Sequence, residues 1–131
     1  MKQPDVVGMV LCDRIDFGAH VGQASLVNVF HAQRFSSFPA PPLDFVVYVA
    51  LYDGEGEGTI ELILTRLETE EDITLYKEWR ALPGRGQIVN VEIKVRQCEL
   101  PAPGRYVLAL FFDNRILAYR YLEVFRTENA Q

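Results

Sequence analysis

Residues 100–124 read LPAPGRYVLALFFDNRILAYRYLEV, and the reading of this stretch decides the fold. Pro101, Pro103 and Gly104 form a rigid turn entry that has no use inside a sheet. Aromatic and branched residues then run from Tyr106 to Phe112 and again from Ile116 to Val124, the composition of strands. Asp113–Asn114 between them is a short connection that tolerates positive φ, as a two-residue hairpin turn requires. The stretch therefore predicts strand, turn, strand. Both faces of both strands are apolar. Val107, Ala109 and Phe111 oppose Tyr106, Leu108, Leu110 and Phe112, while Leu117, Tyr119 and Tyr121 oppose Ile116, Ala118, Leu122 and Val124. Each face needs a cover, and the sequence supplies no helix for the second one.

Working outward, the dominant period is two. In TIELILTRL (59–67), Ile60, Leu62 and Leu64 oppose Thr59, Glu61 and Thr65, and in IVNVEIKVRQ (88–97), Val89, Val91, Ile93 and Val95 oppose Asn90, Glu92, Lys94 and Arg96. Such alternation marks half-buried strands. Further strands are expected at Val6–Cys12, Ser25–Phe30, Phe45–Tyr52 and Ile73–Trp79. DGEGEG (53–58) is expected to turn a hairpin, ETEED (68–72) joins the next two strands, and FPAPP (38–42) is a turn-starting segment. The best helical window, LYKEWRAL (75–82), is ended at once by PGRG. About eight short strands with turn signals between them predict a single antiparallel β-sandwich of immunoglobulin-like type over residues 1–131. Met1–Asp5 and Thr127–Gln131 are expected to fray.

The totals bound the function. A chain of 131 residues, 49% hydrophobic and 24% charged, is an ordinary globular domain with room for a core. A net charge of −5 with scattered basic residues argues against a nucleic-acid binder, whose footprint is basic. No apolar run approaches the roughly 18 residues that span a bilayer, so no membrane partner is expected. The start, MKQPDVVGMVLCDRIDF, has an early Pro4 and Asp5 and an apolar run broken by Asp13, unlike a signal peptide. A cytoplasmic location follows as the expectation, with Cys12 and Cys98 reduced.

MVLCD near the start, FPAPPLDFVVYVAL in the first third and the closing hairpin together resemble a widespread bacterial family known only as a domain of unknown function. The shared pattern is a P-x-P-G-x-Y turn, an alternating strand, a D-G-like turn and a last strand ending in L-x-V. Asn114 stands where glycine is usual and still fits the turn. The resemblance implies the fold and supplies no catalytic residues.

Tyr106, following Pro-Gly at a strand start, is read as a structural corner whose hydroxyl bonds back to nearby backbone. Trp79 lies far from Cys12 and close before Cys98, which is not the spacing of an immunoglobulin disulfide, and both cysteines read as buried free thiols. Cys12, His20, His31 and Cys98 lack metal-ligand spacing. The run from Asp53 through Glu55 and Glu57 to Gly58 imitates a calcium loop but has Leu64 where a bidentate glutamate belongs, so no metal and no cofactor is expected. His20, His31, Ser25, Ser36, Ser37, Asp13 and Asp16 sit in no nucleophile motif, and no glycine-rich loop opens a helix, so no catalytic residue is assigned.

The function expected is a non-enzymatic interaction or assembly module, a homodimer or another protein's partner. Val6–Cys12 and Phe45–Tyr52 are also apolar on both faces, and if these four two-faced strands share one sheet, its outer face is apolar and aromatic. Tyr48, Phe111, Tyr119 and Tyr121 would then form the interface. The competing cover is a loop, Asp13–Gly22 or Arg34–Leu43. The alternative function is binding of a small ligand, sugar or peptide, by Asp16–Gly22, FSSFPAPP (35–42) and ALPGRGQ (81–87) gathered at one end of the sandwich.

Overall fold

The computed structural model describes residues 2–20 and 22–128. These form ten strands: β1 (Asp5–Cys12), β2 (Arg14–Phe17), β3 (Ala24–Val27), β4 (Ala32–Phe35), β5 (Leu43–Tyr52), β6 (Glu55–Arg66), β7 (Glu71–Pro83), β8 (Ile88–Cys98), β9 (Gly104–Phe112) and β10 (Arg115–Arg126). The described residues contain no helix, and so none long and apolar enough to cross a membrane. β1-β5-β8 form one sheet and β4-β10-β9-β6-β7 another, while β2 and β3 pair as a small hairpin. All neighbours are antiparallel except β4 and β10, which run parallel.

The two larger sheets share one core, a sandwich-like arrangement. Met9, Leu11, Phe45, Val47, Val49 and Ile93 point into it from the first sheet, and Ile60, Leu62, Leu108, Leu110, Phe112 and Leu122 from the second. Alternation puts these side chains on one face of each strand, and each large aliphatic side chain so buried contributes about 1.5–3 kcal/mol. Phe35 at the end of β4, Phe38 in the connection and Leu43 at the start of β5 pack against this core.

The all-β reading holds, with ten strands in place of eight. β2 and β4 have four residues each, too short to show a period. The expected strand Ser25–Phe30 ends at Val27, because Asn28 takes a positive φ of 55° and breaks the ladder. Phe30 returns to sheet pairing only as a bridge to Leu11. The helical window 75–82 lies inside β7. Asp113 and Asn114 turn the β9–β10 hairpin with φ of 48° and 66°, as their side chains permit.

DGEGEG does not make a hairpin. β5 and β6 belong to different sheets, and the chain crosses between them at Asp53–Gly54. Gly54 is buried in that crossing, where a Cβ would stand 2.6 Å from Leu82 Cδ1 and 2.8 Å from Pro4 Cβ. The glycine serves close packing, while the positive φ of the crossing, 63°, falls on Asp53. Near the expected frayed ends, Lys2 exchanges backbone hydrogen bonds with Glu55, and the Thr127 N–H donates to the Phe35 carbonyl. Met1 and residues 129–131 lie outside the described residues.

Candidate functional site

The four two-faced strands do not share a sheet. β1 and β5 lie in the three-stranded sheet, β9 and β10 in the five-stranded one. Tyr48 on β5 therefore faces away from Phe111, Tyr119 and Tyr121, with the core between them, and the four residues cannot form one surface. Strand pattern alone does not say which strands become neighbours.

The two outer faces also differ. On the three-stranded sheet, Val46 and Ala50 are only 7% exposed, beside Lys94 and Asn90 on β8. Tyr48 is half-buried and its hydroxyl donates to Asn90 Oδ1 at 2.8 Å. β2, within the expected Asp13–Gly22 cover, contacts β5. On the five-stranded sheet, the rows run Glu61–Phe111–Ile116, Ile63–Ala109–Tyr119 and Thr65–Val107–Tyr121. Ile116, Tyr119 and Tyr121 are 56%, 50% and 45% exposed, and Phe111 is half-buried beside them. The Tyr119 and Tyr121 rings meet edge to face at 5.6 Å, and the Arg105 guanidinium lies 5.1 Å from the Tyr121 ring centre while pairing with Glu123 at 2.7 Å. Ile116 reaches this face because a register shift between Ile116 and Ala118 inverts the alternation, where a strict period of two places it inward.

β10 is also an open edge. β4 pairs only with Glu123–Arg126, so among the described residues the stretch from Arg115 to Leu122 has no hydrogen-bonded strand on the side away from β9, although β1 of the other sheet contacts β10. Glu123 N–H points to that side, since it donates to the His31 carbonyl at 2.9 Å. By alternation the N–H and C=O groups of Tyr119 and Tyr121 point the same way. A shallow groove of about 570 Å³ runs along this edge, lined by Ile116, Leu117, Ala118, Tyr119, Arg120 and Tyr121.

Arg120 stands between the two sheets. Its Nε donates to the Met9 carbonyl at 2.9 Å and its Nη1 to the Tyr119 carbonyl at 2.6 Å, so one guanidinium caps edge groups of both β1 and β10. The Phe30 N–H caps the Leu11 carbonyl beside it at 2.9 Å. A small cleft of about 150 Å³ opens here among Met9, Leu11, Val29, His31 and Arg120. Sequence reasoning passed over Arg120. Its signal was a lone charge in the inward register between Ala118 and Leu122.

The Tyr106 hydroxyl donates to the Ala102 carbonyl at 2.7 Å, with the side chain 1% exposed. Burial raises its pKa, against the lowering effect of that backbone bond. Cys12 and Cys98 are buried and unbridged. Burial pushes the Cys98 thiol up to about 11, with the Glu99 charge adding to it, and burial likewise raises Cys12. Among the described residues, no group of three potential ligands is placed to hold a metal ion, and no hydrogen bond or ion pair joins His20 or His31 to a carboxylate or a serine. The acidic loop is engaged by the chain itself. Lys2 and the Gly86 N–H bond Asp53 and hold its carboxyl below the usual range, and Arg85 pairs with Glu55 at 3.4 Å. Asp13 accepts from Asn28 at 2.8 Å, and Arg14 pairs with Asp16.

The three loops that were to form one ligand site are not together. Residues 35–42 lead into Leu43, which pairs with Cys98, whereas residues 81–87 lead into Ile88, which pairs with Tyr52 at the far end of β5.

No protein-family model and no curated protein matches the chain. Among solved structures, the chain is similar to part of a β-glucosidase from Listeria innocua, in complex with isofagomine, at a TM-score of 0.50 and 10% identity. The likeness covers 96% of this chain and 17% of that one, so the chain spans about one sixth of the enzyme's length. At this identity the likeness concerns the fold alone.

Proposed function

We propose that this chain is a non-enzymatic, immunoglobulin-like interaction module that works as a homodimer. The observation that carries the reading is the strip Ile116–Tyr121. Three large apolar or aromatic side chains stand about half exposed on one sheet face, next to an unpaired strand edge. Aromatic residues, tyrosine especially, are enriched at protein contacts. The contact surface is Phe111, Ile116, Tyr119 and Tyr121; Tyr48, on the other sheet, has no part in it.

Two features support the immunoglobulin-like assignment. The strand order β1-β5-β8 against β7-β6-β9-β10 follows the sequence of strands in that architecture, with β4 added beside the last strand. Tyr106, near the start of β9, bonds back to Ala102, as a tyrosine corner does. Two buried, unbridged cysteines suit a reducing compartment, in keeping with a cytoplasmic module.

Light scattering at micromolar concentration is the test. Wild-type protein is expected at more than one chain per particle, and Phe111→Arg combined with Tyr121→Glu is expected to shift it toward monomer with the fold intact by circular dichroism. A wild-type monomer would sink the reading.

A further inference from the structure

We propose that Arg120 is an edge guard: its guanidinium stands in the gap left on both β1 and β10 and keeps either strand from adding a strand of another chain. The proposal concerns the strand edges, and it stands whether or not the outer face forms a dimer.

An unpaired strand edge is a template for association, and folded proteins blunt it with bulges, covering chain or charged side chains in the inward register. β10 needs such protection, because Ile116, Leu117, Ala118, Tyr119 and Tyr121 give it an apolar, strand-forming composition without proline or lysine. Its edge is closed in three ways. The register shift between Ile116 and Ala118 distorts the first part, and β4 covers the last from Glu123 onward. Tyr119–Leu122 lie between them, and there the Arg120 Nη1 donates to the Tyr119 carbonyl.

β1 repeats the arrangement. A register shift between Val6 and Gly8 distorts one part of it, and the Phe30 N–H caps the Leu11 carbonyl near its end. Met9 lies in the gap, and its carbonyl accepts from the Arg120 Nε. The two edges lie on the same side of the sandwich. The chain itself passes from one to the other at Phe30–His31, where the Phe30 N–H meets the Leu11 carbonyl and the His31 carbonyl meets the Glu123 N–H. One side chain therefore fills the gap in both sheets. Arginine suits the role, because its planar fork directs donors at two separate acceptors. An incoming strand would have to displace a charged donor, whose hydrogen bonds are the stronger kind.

The other outermost strand of the larger sheet carries charge in the same register. On β7, Glu78 and Arg80 pair with Ile60 and Gly58, which sets both charges inward on an edge strand.

The test removes the guard and leaves the strand. Arg120→Met keeps a long side chain without donors. It is expected to begin associating at a concentration at least about tenfold below that of wild type in light scattering, with an unchanged circular dichroism spectrum. The same gain is expected in a Phe111→Arg background, which disturbs the outer face and leaves the edge. Arg115→Met, which removes the same charge from the same strand and no cap, is expected to behave as wild type. In the associated Arg120→Met protein, the Tyr119 and Tyr121 amides, which point to the free side, are expected to gain protection from hydrogen exchange. A folded Arg120→Met that associates no more than Arg115→Met, or that associates without protecting those amides, overturns the proposal. If Arg120→Met does not fold, Arg120→Gln, which is too short to reach both carbonyls, is read in the same way. Failure of both variants to fold overturns the guard in favour of a purely structural role.

Discussion

Replacing Tyr106 by phenylalanine removes one oxygen and leaves the ring, so it isolates the corner hydrogen bond. The ring is 1% exposed and keeps its packing in the variant, which leaves no cavity cost. The hydroxyl donates to the Ala102 carbonyl at 2.7 Å, and the Ala102 N–H approaches the Tyr106 hydroxyl oxygen at 3.4 Å, too long to count for much. A hydrogen bond of this kind contributes about 0.5–1.5 kcal/mol net, and a carbonyl left without a partner adds up to about 1–3 kcal/mol when it is fully buried. Ala102 is half-buried, so water recovers part of that second cost. The expected loss is about 1–2 kcal/mol, a fall of roughly 3–8 °C in Tm for a domain this size. Urea unfolding followed by circular dichroism should show a lower midpoint with an unchanged slope. Tyr106→Ala, which empties the ring site, should cost about 3–5 kcal/mol. Two results would refute the reasoning. If Tyr106→Phe unfolds with wild-type stability, the bond does not pin residues 102–106. If it loses as much as the alanine variant, the hydroxyl is not acting through one local bond.

Other outcomes follow from single positions. Gly58 is buried where a Cβ would lie 2.6 Å from both Phe112 Cζ and Asp113 Oδ1, so Gly58→Ala should destabilise by about 1–3 kcal/mol in a denaturant titration. Asn114 holds a φ of 66° in the β9–β10 turn, and Asn114→Ala should lose about 1 kcal/mol while Asn114→Gly does not, by thermal melts of the pair. Cys98 keeps its proton up to about pH 11 in the folded protein. An unfolded thiol ionises near pH 9, so the unfolded chain releases its proton first and stability should fall as pH rises from about 9 toward 11. Unfolding midpoints measured across that window should drop more steeply for wild type than for Cys98→Ala. At neutral pH, both thiols should react with a thiol reagent only after unfolding, and reaction of two equivalents in native protein would contradict their burial.

Much of the fold is legible one strand at a time. The inward sets of β6 and β8 can be read off directly, because alternation is a local property of an extended chain whose two faces meet different surroundings, whereas β9 is apolar on both faces and its inward set is not. The Asp113–Asn114 turn and the Tyr106 corner are local for the same reason, since the groups that interact are within a few residues of one another.

What the linear pattern could not carry is everything that depends on which strand lies beside which. DGEGEG has hairpin composition, yet it crosses between sheets, and the Leu82 and Pro4 side chains packed against Gly54 there are neighbours brought in by the fold. Tyr48 and Tyr121 look alike in sequence and end on opposite faces of the molecule, because β5 and β10 enter different sheets. The register shift after Ile116 turns that side chain outward, and only the pairing with β9 reveals it. The open edge of β10 exists because β4 stops at Glu123, and Arg120 is explained only once β1 lies across from it. Side-chain alternation is a property of the residue and its immediate neighbours. Edges, caps and exposed faces are properties of pairs of segments far apart in the chain, and only the tertiary structure decides those.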